Sequence, residues 1–133
     1  MIKGIDHIDI SVNDVEESVK IFQKMGFELL WRLTHVGGAV ELKLPGADQP
    51  IFELHKLLDH YPKGSPGIPG VIHIAFRVDN AQKTLDEFKA KDIRTMSDTP
   101  TFQPESGRTM VDIEESGLWL QFVEEGRKPF ITL

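Results

Sequence analysis

The chain has no cysteine. That excludes disulfides, thiolate metal sites and a cysteine nucleophile. Any metal must therefore be held by His, carboxylate or amide groups. No apolar run approaches the length that crosses a bilayer, and the first residues lack the apolar core of a signal peptide. A cytoplasmic protein with no membrane partner is the expectation. Basic residues are in deficit: 15 Lys and Arg against 21 Asp and Glu give a formal net charge of −6. A phosphate-binding surface needs clustered Lys and Arg, so no nucleic-acid partner is expected. Low-complexity segments are also missing. What remains is 133 residues, 40% hydrophobic and 27% charged, the profile of one ordinary globular domain.

The most informative feature that is present is a repeat. Asp6-His7-Ile8-Asp9-Ile10-Ser11-Val12-Asn13 recurs 66 residues later as Ile72-His73-Ile74-Ala75-Phe76-Arg77-Val78-Asp79. Two units related by a pseudo-two-fold axis would bring both histidines to one shared site. The same shift lays Val15, Val19 and Phe22 on Ala81, Leu85 and Phe88. Both triplets have the i, i+4, i+7 spacing of one apolar helix face. Asn13 with Glu16, and Asp79 with Gln82, give matching capping signals.

Each unit thus predicts a strand (about 5–12 and 71–78), a helix (about 14–25 and 80–91) and a second strand (Phe27 to Leu33, Ile93 to Met96). A hairpin closes each unit. Ala39 to Leu44 and Ile51 to Lys56 flank a Pro- and Gly-containing loop. Thr109 to Glu114 and Leu118 to Glu124 flank a turn at Glu115-Ser116-Gly117. The order is βαβββ, twice, an α+β pattern within one domain spanning 1–133. The modules are 1–56 and 71–125, and the Pro/Gly-rich stretch 57–70 reads as a linker. Ser97 to Arg108 reads as a mobile loop beside the second sheet.

Strand alternation assigns the faces. Ile8, Ile10 and Val12 should pack on the helix, with His7, Asp9 and Ser11 opposite. Ile74, Phe76 and Val78 leave His73, Ala75 and Arg77 opposite. Phe52 and Leu54 form one set, and Ile51, Glu53 and His55 the other. Leu118, Leu120 and Phe122 leave Trp119, Gln121 and Val123. One face thereby gathers His7, Glu53, His73 and Gln121. A buried unpaired carboxylate is expensive, so Glu53 there is hard to explain as core.

These residues resemble the vicinal oxygen chelate superfamily, which includes glyoxalase I, methylmalonyl-CoA epimerase, extradiol dioxygenases and bleomycin and fosfomycin resistance proteins. The resemblance rests on 7–12, Ile51-Phe52-Glu53-Leu54, 73–80 and Leu120-Gln121-Phe122-Val123-Glu124, and spans nearly the whole chain. It implies a glyoxalase-like fold, two tandem βαβββ modules forming a curled mixed sheet around a central metal site. It also implies that His7, Glu53, His73 and Gln121 are the metal ligands. Bacterial glyoxalase I normally has Glu where this chain has Gln121. Methylmalonyl-CoA epimerase has the same inventory, two His, one Glu and one Gln, with the carboxylate and amide in opposite modules.

The implied cofactor is a divalent ion, Zn, Ni, Co, Fe or Mn, with positions open to two substrate oxygens. The implied activity is that of a metal-dependent lyase or isomerase of the glyoxalase type. It would transfer a proton next to a carbonyl of a small chelating substrate, with Glu53 as both ligand and base. Arg77 is placed to clamp a substrate carboxylate and Trp119 to wall the pocket. Asp9 and His55 complete the substrate-contacting set. Other readings stay open. Gln121 can be an amide that hydrogen-bonds a His, His, Glu triad. Asp9 and Arg77 can pair with each other, and His55 can be peripheral. His35 and His60 read as solvated loop residues. The alternative functions are an acyl-CoA epimerase, an Fe(II) extradiol dioxygenase and a metal-free drug-binding resistance protein. Tyr61 is the single tyrosine, which disfavours the dioxygenase. A homodimer is expected.

Overall fold

The computed structural model describes residues 1–34, 37–57 and 67–126. His35, His60, Tyr61 and most of the expected linker lie outside them. The described elements are β1 (Ile2–Val12), α1 (Val15–Lys24), β2 (Glu28–Leu33), β3 (Ala39–Lys43), β4 (Ile51–Lys56), β5 (Gly70–Val78), α2 (Ala81–Ala90), β6 (Thr101–Gln103), β7 (Arg108–Glu115) and β8 (Leu118–Glu124). The fold is α+β, a βαβββ module made twice. Among the described residues the chain divides into two compact units, those of 7–72 in one and 1–6 with 73–126 in the other. They are called the first and second unit below.

In the first unit the strand order is β2-β3-β4-β1. β1 and β4 run parallel, and β3 is antiparallel to both β4 and β2. In the second the order is β5-β8-β7-β6, with β5 and β8 parallel and the other two pairs antiparallel. One sheet face in each unit packs on its helix. Val19 of α1 meets Val40, Leu42 and Leu54. Phe22, Phe27 and Phe52 add an aromatic cluster with centroids 4.8–5.9 Å apart. In the second unit Ala81 and Leu85 of α2 meet Val78, Val111 and Phe122. Leu54 and Leu85 are fully buried, so truncating either to Ala would cost about 2–5 kcal/mol.

The helices begin and end by one device in each unit. Asp14 accepts from the Glu17 amide at 3.0 Å, and Asn80 accepts from the Lys83 amide at 2.8 Å. The N-caps are thus one residue later than Asn13 and Asp79, and the repeat spacing is kept. At the other end of α1, Gly26 has φ +102°. The Gly26 amide bonds Gln23 O and the Phe27 amide bonds Phe22 O, both at 3.0 Å. That is a Schellman motif, and the Phe22–Phe27 contact is its usual apolar seal. In α2 the same bonds run from Asp92 to Lys89 O and from Ile93 to Phe88 O. Asp92 holds the left-handed position with φ +59°.

This motif explains a correction. Ile93 to Met96 is not a strand: Ile93 is spent sealing the helix end, and Met96 makes one ladder bond, to Asp112 O. The strand comes later, as β6, inside the stretch expected to be a mobile loop. There Thr101, Phe102 and Gln103 pair with Met110, Thr109 and Arg108. Three residues are too few for alternation to announce. Ser106 and Arg108, at the end of that stretch, are buried. The β7–β8 connection is a two-residue turn with positive φ at both Ser116 and Gly117, the geometry that suits right-twisted strands.

Asp92 carries a strain that Gly26 avoids, because a Cβ crowds the backbone in the left-handed region. Asp92→Gly should therefore stabilise the protein by about 0.5–1 kcal/mol. A thermal melt that fails to rise would show the position to be relaxed.

Candidate active site

The sheet face away from the helix carries the polar side chains in both units, and it is the more buried face of β1. His7, Asp9 and Ser11 are no more than 2% exposed, whereas Ile8, Ile10 and Val12 are partly exposed.

In the first unit, register places Asp9 beside Glu53 and Glu53 beside Glu41, a row of three carboxylates across β1, β4 and β3. All three are at most 4% exposed. The neighbouring row is Ser11, His55 and Ala39. His7 lies diagonally next to Glu53 on the parallel pair. Like charges this close, removed from water, require partners.

Asp9 has His55, with Nε2 at 2.6 Å from Oδ1. The other ring nitrogen, Nδ1, is 2.7 Å from Lys56 O. A carbonyl oxygen only accepts, so Nδ1 carries a proton and the Asp9–His55 contact shares a second one. Burial raises the Asp9 pKa above the usual carboxylate value; the His55 bond opposes this and the Glu53 charge adds to it. For His55 burial pulls the pKa down, but the bond and charge of Asp9 outweigh it and the net displacement is upward.

Glu41 has Trp31, whose Nε1 donates to Oε1 at 2.8 Å. A β-bulge makes that bond. Leu29 packs into the helix-side core, and simple alternation would send Trp31 the same way. The register shift between Leu29 and Trp31 re-aims the indole to the polar face. It also turns Arg32 outward to pair with Glu16 of α1 at 2.7 and 3.0 Å.

In the second unit the equivalent row is Ala75, Gln121 and Asp112. His73 is buried, with its ring 4.0 Å from that of Trp119. Trp119 Nε1 donates to Asp112 Oδ1 at 3.0 Å. Arg108 donates from Nε to Asp6 Oδ2 at 3.3 Å, with its side chain 3% exposed.

The expected residues therefore sit as follows. His7, Glu53, Asp9 and His55 share the polar face of the first unit; His73, Gln121, Trp119 and Arg77 share that of the second. Asp9 is paired with His55, and Arg77 reaches Lys3 O at 3.5 Å, its guanidinium 3.0 Å from where a Cβ on Gly4 would stand. His55 is not peripheral: it is fully buried, because Asp9 draws it inward. Sequence reasoning missed Glu41, Trp31, Asp112 and Arg108. Alternation within Val40-Glu41-Leu42 was a usable signal for Glu41. Nothing local marks Trp31, since the bulge is a property of the strand pair.

Each unit contributes one imidazole beside one oxygen donor, His7 with Glu53 and His73 with Gln121. These are N and O donors of the kind first-row divalent ions take. Among the described residues no group of three or more His, Asp or Glu forms a metal-holding cluster.

Two βαβββ modules with such faces define a glyoxalase-like protein. The chain belongs to the Glyoxalase/Bleomycin resistance protein/Dioxygenase superfamily, whose model matches residues 4–122. It is 28% identical over 126 residues to the uncharacterized protein YwbC of Bacillus subtilis (strain 168), across 93% of this chain and 99% of that one. Its fold is similar to methylmalonyl-CoA epimerase from Mycobacterium tuberculosis, with a TM-score of 0.78, 19% identity, and coverage of 92% and 88%. A Streptomyces coelicolor methylmalonyl-CoA epimerase variant in complex with 2-nitronate-propionyl-CoA gives 0.78 and 19%, covering 95% and 99%.

The Asp9–His55 pair generates a stability test. His55→Leu leaves the Asp9 carboxyl buried without its imidazole and should cost about 3–5 kcal/mol in denaturant unfolding. With both pKa values displaced upward, the folded state binds more protons than the unfolded chain. The pair's contribution is then full at acid pH and is lost as pH rises through the raised imidazole value. The stability gap between wild type and an Asp9→Asn/His55→Gln double variant should shrink as pH rises above about 6.5, the ordinary imidazole value. A gap that widens with pH would contradict the upward displacement.

Proposed function

We propose that the protein is a metal-dependent isomerase or lyase of the glyoxalase type, transferring a proton at the carbon beside a carbonyl of a small chelating substrate. The observation that carries this reading is the buried carboxylate row Asp9, Glu53 and Glu41 beside His7. A structural sheet face gains little from three buried acids, whereas proton-transfer chemistry needs one. Adjacent carboxylates favour proton uptake by one of them, the property a proton-moving group requires.

The proposed ligands are His7, Glu53, His73 and Gln121, with Zn, Ni, Co, Fe or Mn as the ion. When bound, a divalent ion supplies Lewis acidity toward a carbonyl oxygen. The chain's own residues do the rest. Glu53 takes the substrate proton. Glu41, oriented by the Trp31 N–H, is the second carboxylate able to receive it. Asp9, tied to His55, holds its own proton away from the exchange. Arg77 and Trp119 are proposed to contact substrate. The protein is proposed to act as a cytoplasmic homodimer.

A second reading is an epimerase acting on an acyl-CoA. Its support is the fold shared with methylmalonyl-CoA epimerase at a TM-score of 0.78. Both readings move a proton at the same kind of carbon, so one assay set separates them. Hemithioacetal, acyl-CoA and catechol substrates would be offered with each metal, and deuterium wash-in from solvent followed at the substrate carbon.

Exchange with one substrate class is expected, lost on chelation and restored by metal. Glu53→Gln should lower it by about 10²-fold or more. If Glu53→Gln keeps its metal and exchanges like wild type, while Glu41→Gln is inactive, the base is Glu41. No stoichiometric metal and no gain on reconstitution would point instead to a metal-free binding protein.

A further inference from the structure

We propose that Asp112 and Trp119 are positioning residues that hold the His73 imidazole in its ligating orientation. This rests on the metal-dependent reading above, in which His73 is a ligand. The three side chains come from three neighbouring strands of the second unit, β7, β8 and β5. The Trp119 indole is anchored at its polar end by the 3.0 Å bond from Nε1 to Asp112 Oδ1. Its ring then stands with its centroid 4.0 Å from that of His73, at an interplanar angle of 53°.

A histidine needs such a wall. The torsion that turns its ring is a broad sp³–sp² rotation with no sharp minimum. A ligating nitrogen must nevertheless point within a narrow cone. Groups that fix the orientation of a ligating imidazole commonly change metal affinity by one to two orders of magnitude. Here a fixing group is the aromatic face of Trp119, and Asp112 acts through it. Both Trp119 and His73 are buried, so solvent cannot replace the contact. Asp112 is half-buried, which permits substitution without opening the core.

The two repeats differ at this point. The parallel register sets His7 opposite Ile51. The matching register in the second unit continues from Ile74 opposite Leu120 to place His73 opposite Trp119. The register partner of the second histidine is thus the indole that braces it. The indole–carboxylate bond has a counterpart in Trp31 and Glu41, but that indole comes from the outer strand β2 and lies on the far side of its carboxylate from β4.

The test uses the full chain, stripped of metal and titrated with Co(II) by equilibrium dialysis, with melting temperature measured alongside. Asp112→Ala and Trp119→Phe should each weaken Co(II) binding roughly tenfold. The double variant should be no weaker than either, because both remove the same bond. Asp112→Asn keeps an oxygen that accepts the indole N–H and should bind like wild type, which a purely electrostatic role for Asp112 would not allow. If wild type binds Co(II) stoichiometrically and Asp112→Ala binds it equally well, the positioning role is wrong while the metal reading stands. If wild type binds no ion, both fall. Should Trp119→Phe melt early, the comparison of Asp112→Ala with Asp112→Asn decides the matter alone.

Discussion

Each unit buries a polar sheet face as well as an apolar one. That constraint governs much of the structure, because an imidazole or carboxylate on a buried face must find a partner or lose its charge. The helix-side faces need only shape and volume. The polar faces need matched donors and acceptors, and the chain supplies them strand by strand. Asp9 finds His55, Glu41 finds the Trp31 indole, Asp112 finds the Trp119 indole and Arg108 finds Asp6. Three of the four pairs bridge neighbouring strands; the fourth joins Arg108 of β7 to Asp6, one of the first residues of β1, which group with the second unit.

The repeat makes the divergence of the two faces readable. In equivalent register the first unit carries Asp9, Glu53 and Glu41 where the second carries Ala75, Gln121 and Asp112. Where the first has His55, the second has Val123. Duplication preserved the frame, the histidine and the helix caps. The first copy carries three carboxylates in that row and the second carries one. The two copies of one module thus acquired unlike polar faces.

Much of this was legible beforehand. The strand–helix start of each module followed from i, i+4, i+7 spacing and from alternation, and the polar face from His7, Asp9 and Ser11. The family was legible in the same residues. The features that escaped are those without a local signature. Ile93 to Met96 has strand-like composition, yet Ile93 is taken by the end of α2. β6 is too short to show a period. Trp31 faces Glu41 only because a bulge interrupts β2. His55 looked peripheral because its position says nothing of Asp9 two strands' worth of sequence away.

The amino-acid sequence by itself determined most of the strands and both helices, which face of β1, β4, β5 and β8 is polar, and that the pattern occurs twice. Those properties follow from periodicity, which a chain carries along its own length. Tertiary structure decided who meets whom on the polar faces: the Asp9–His55 pair, the Trp31–Glu41 bond and the Asp112–Trp119–His73 stack. Register, bulges and helix termination set those meetings, and each depends on hydrogen bonds to a neighbouring segment rather than on the order of residues within one.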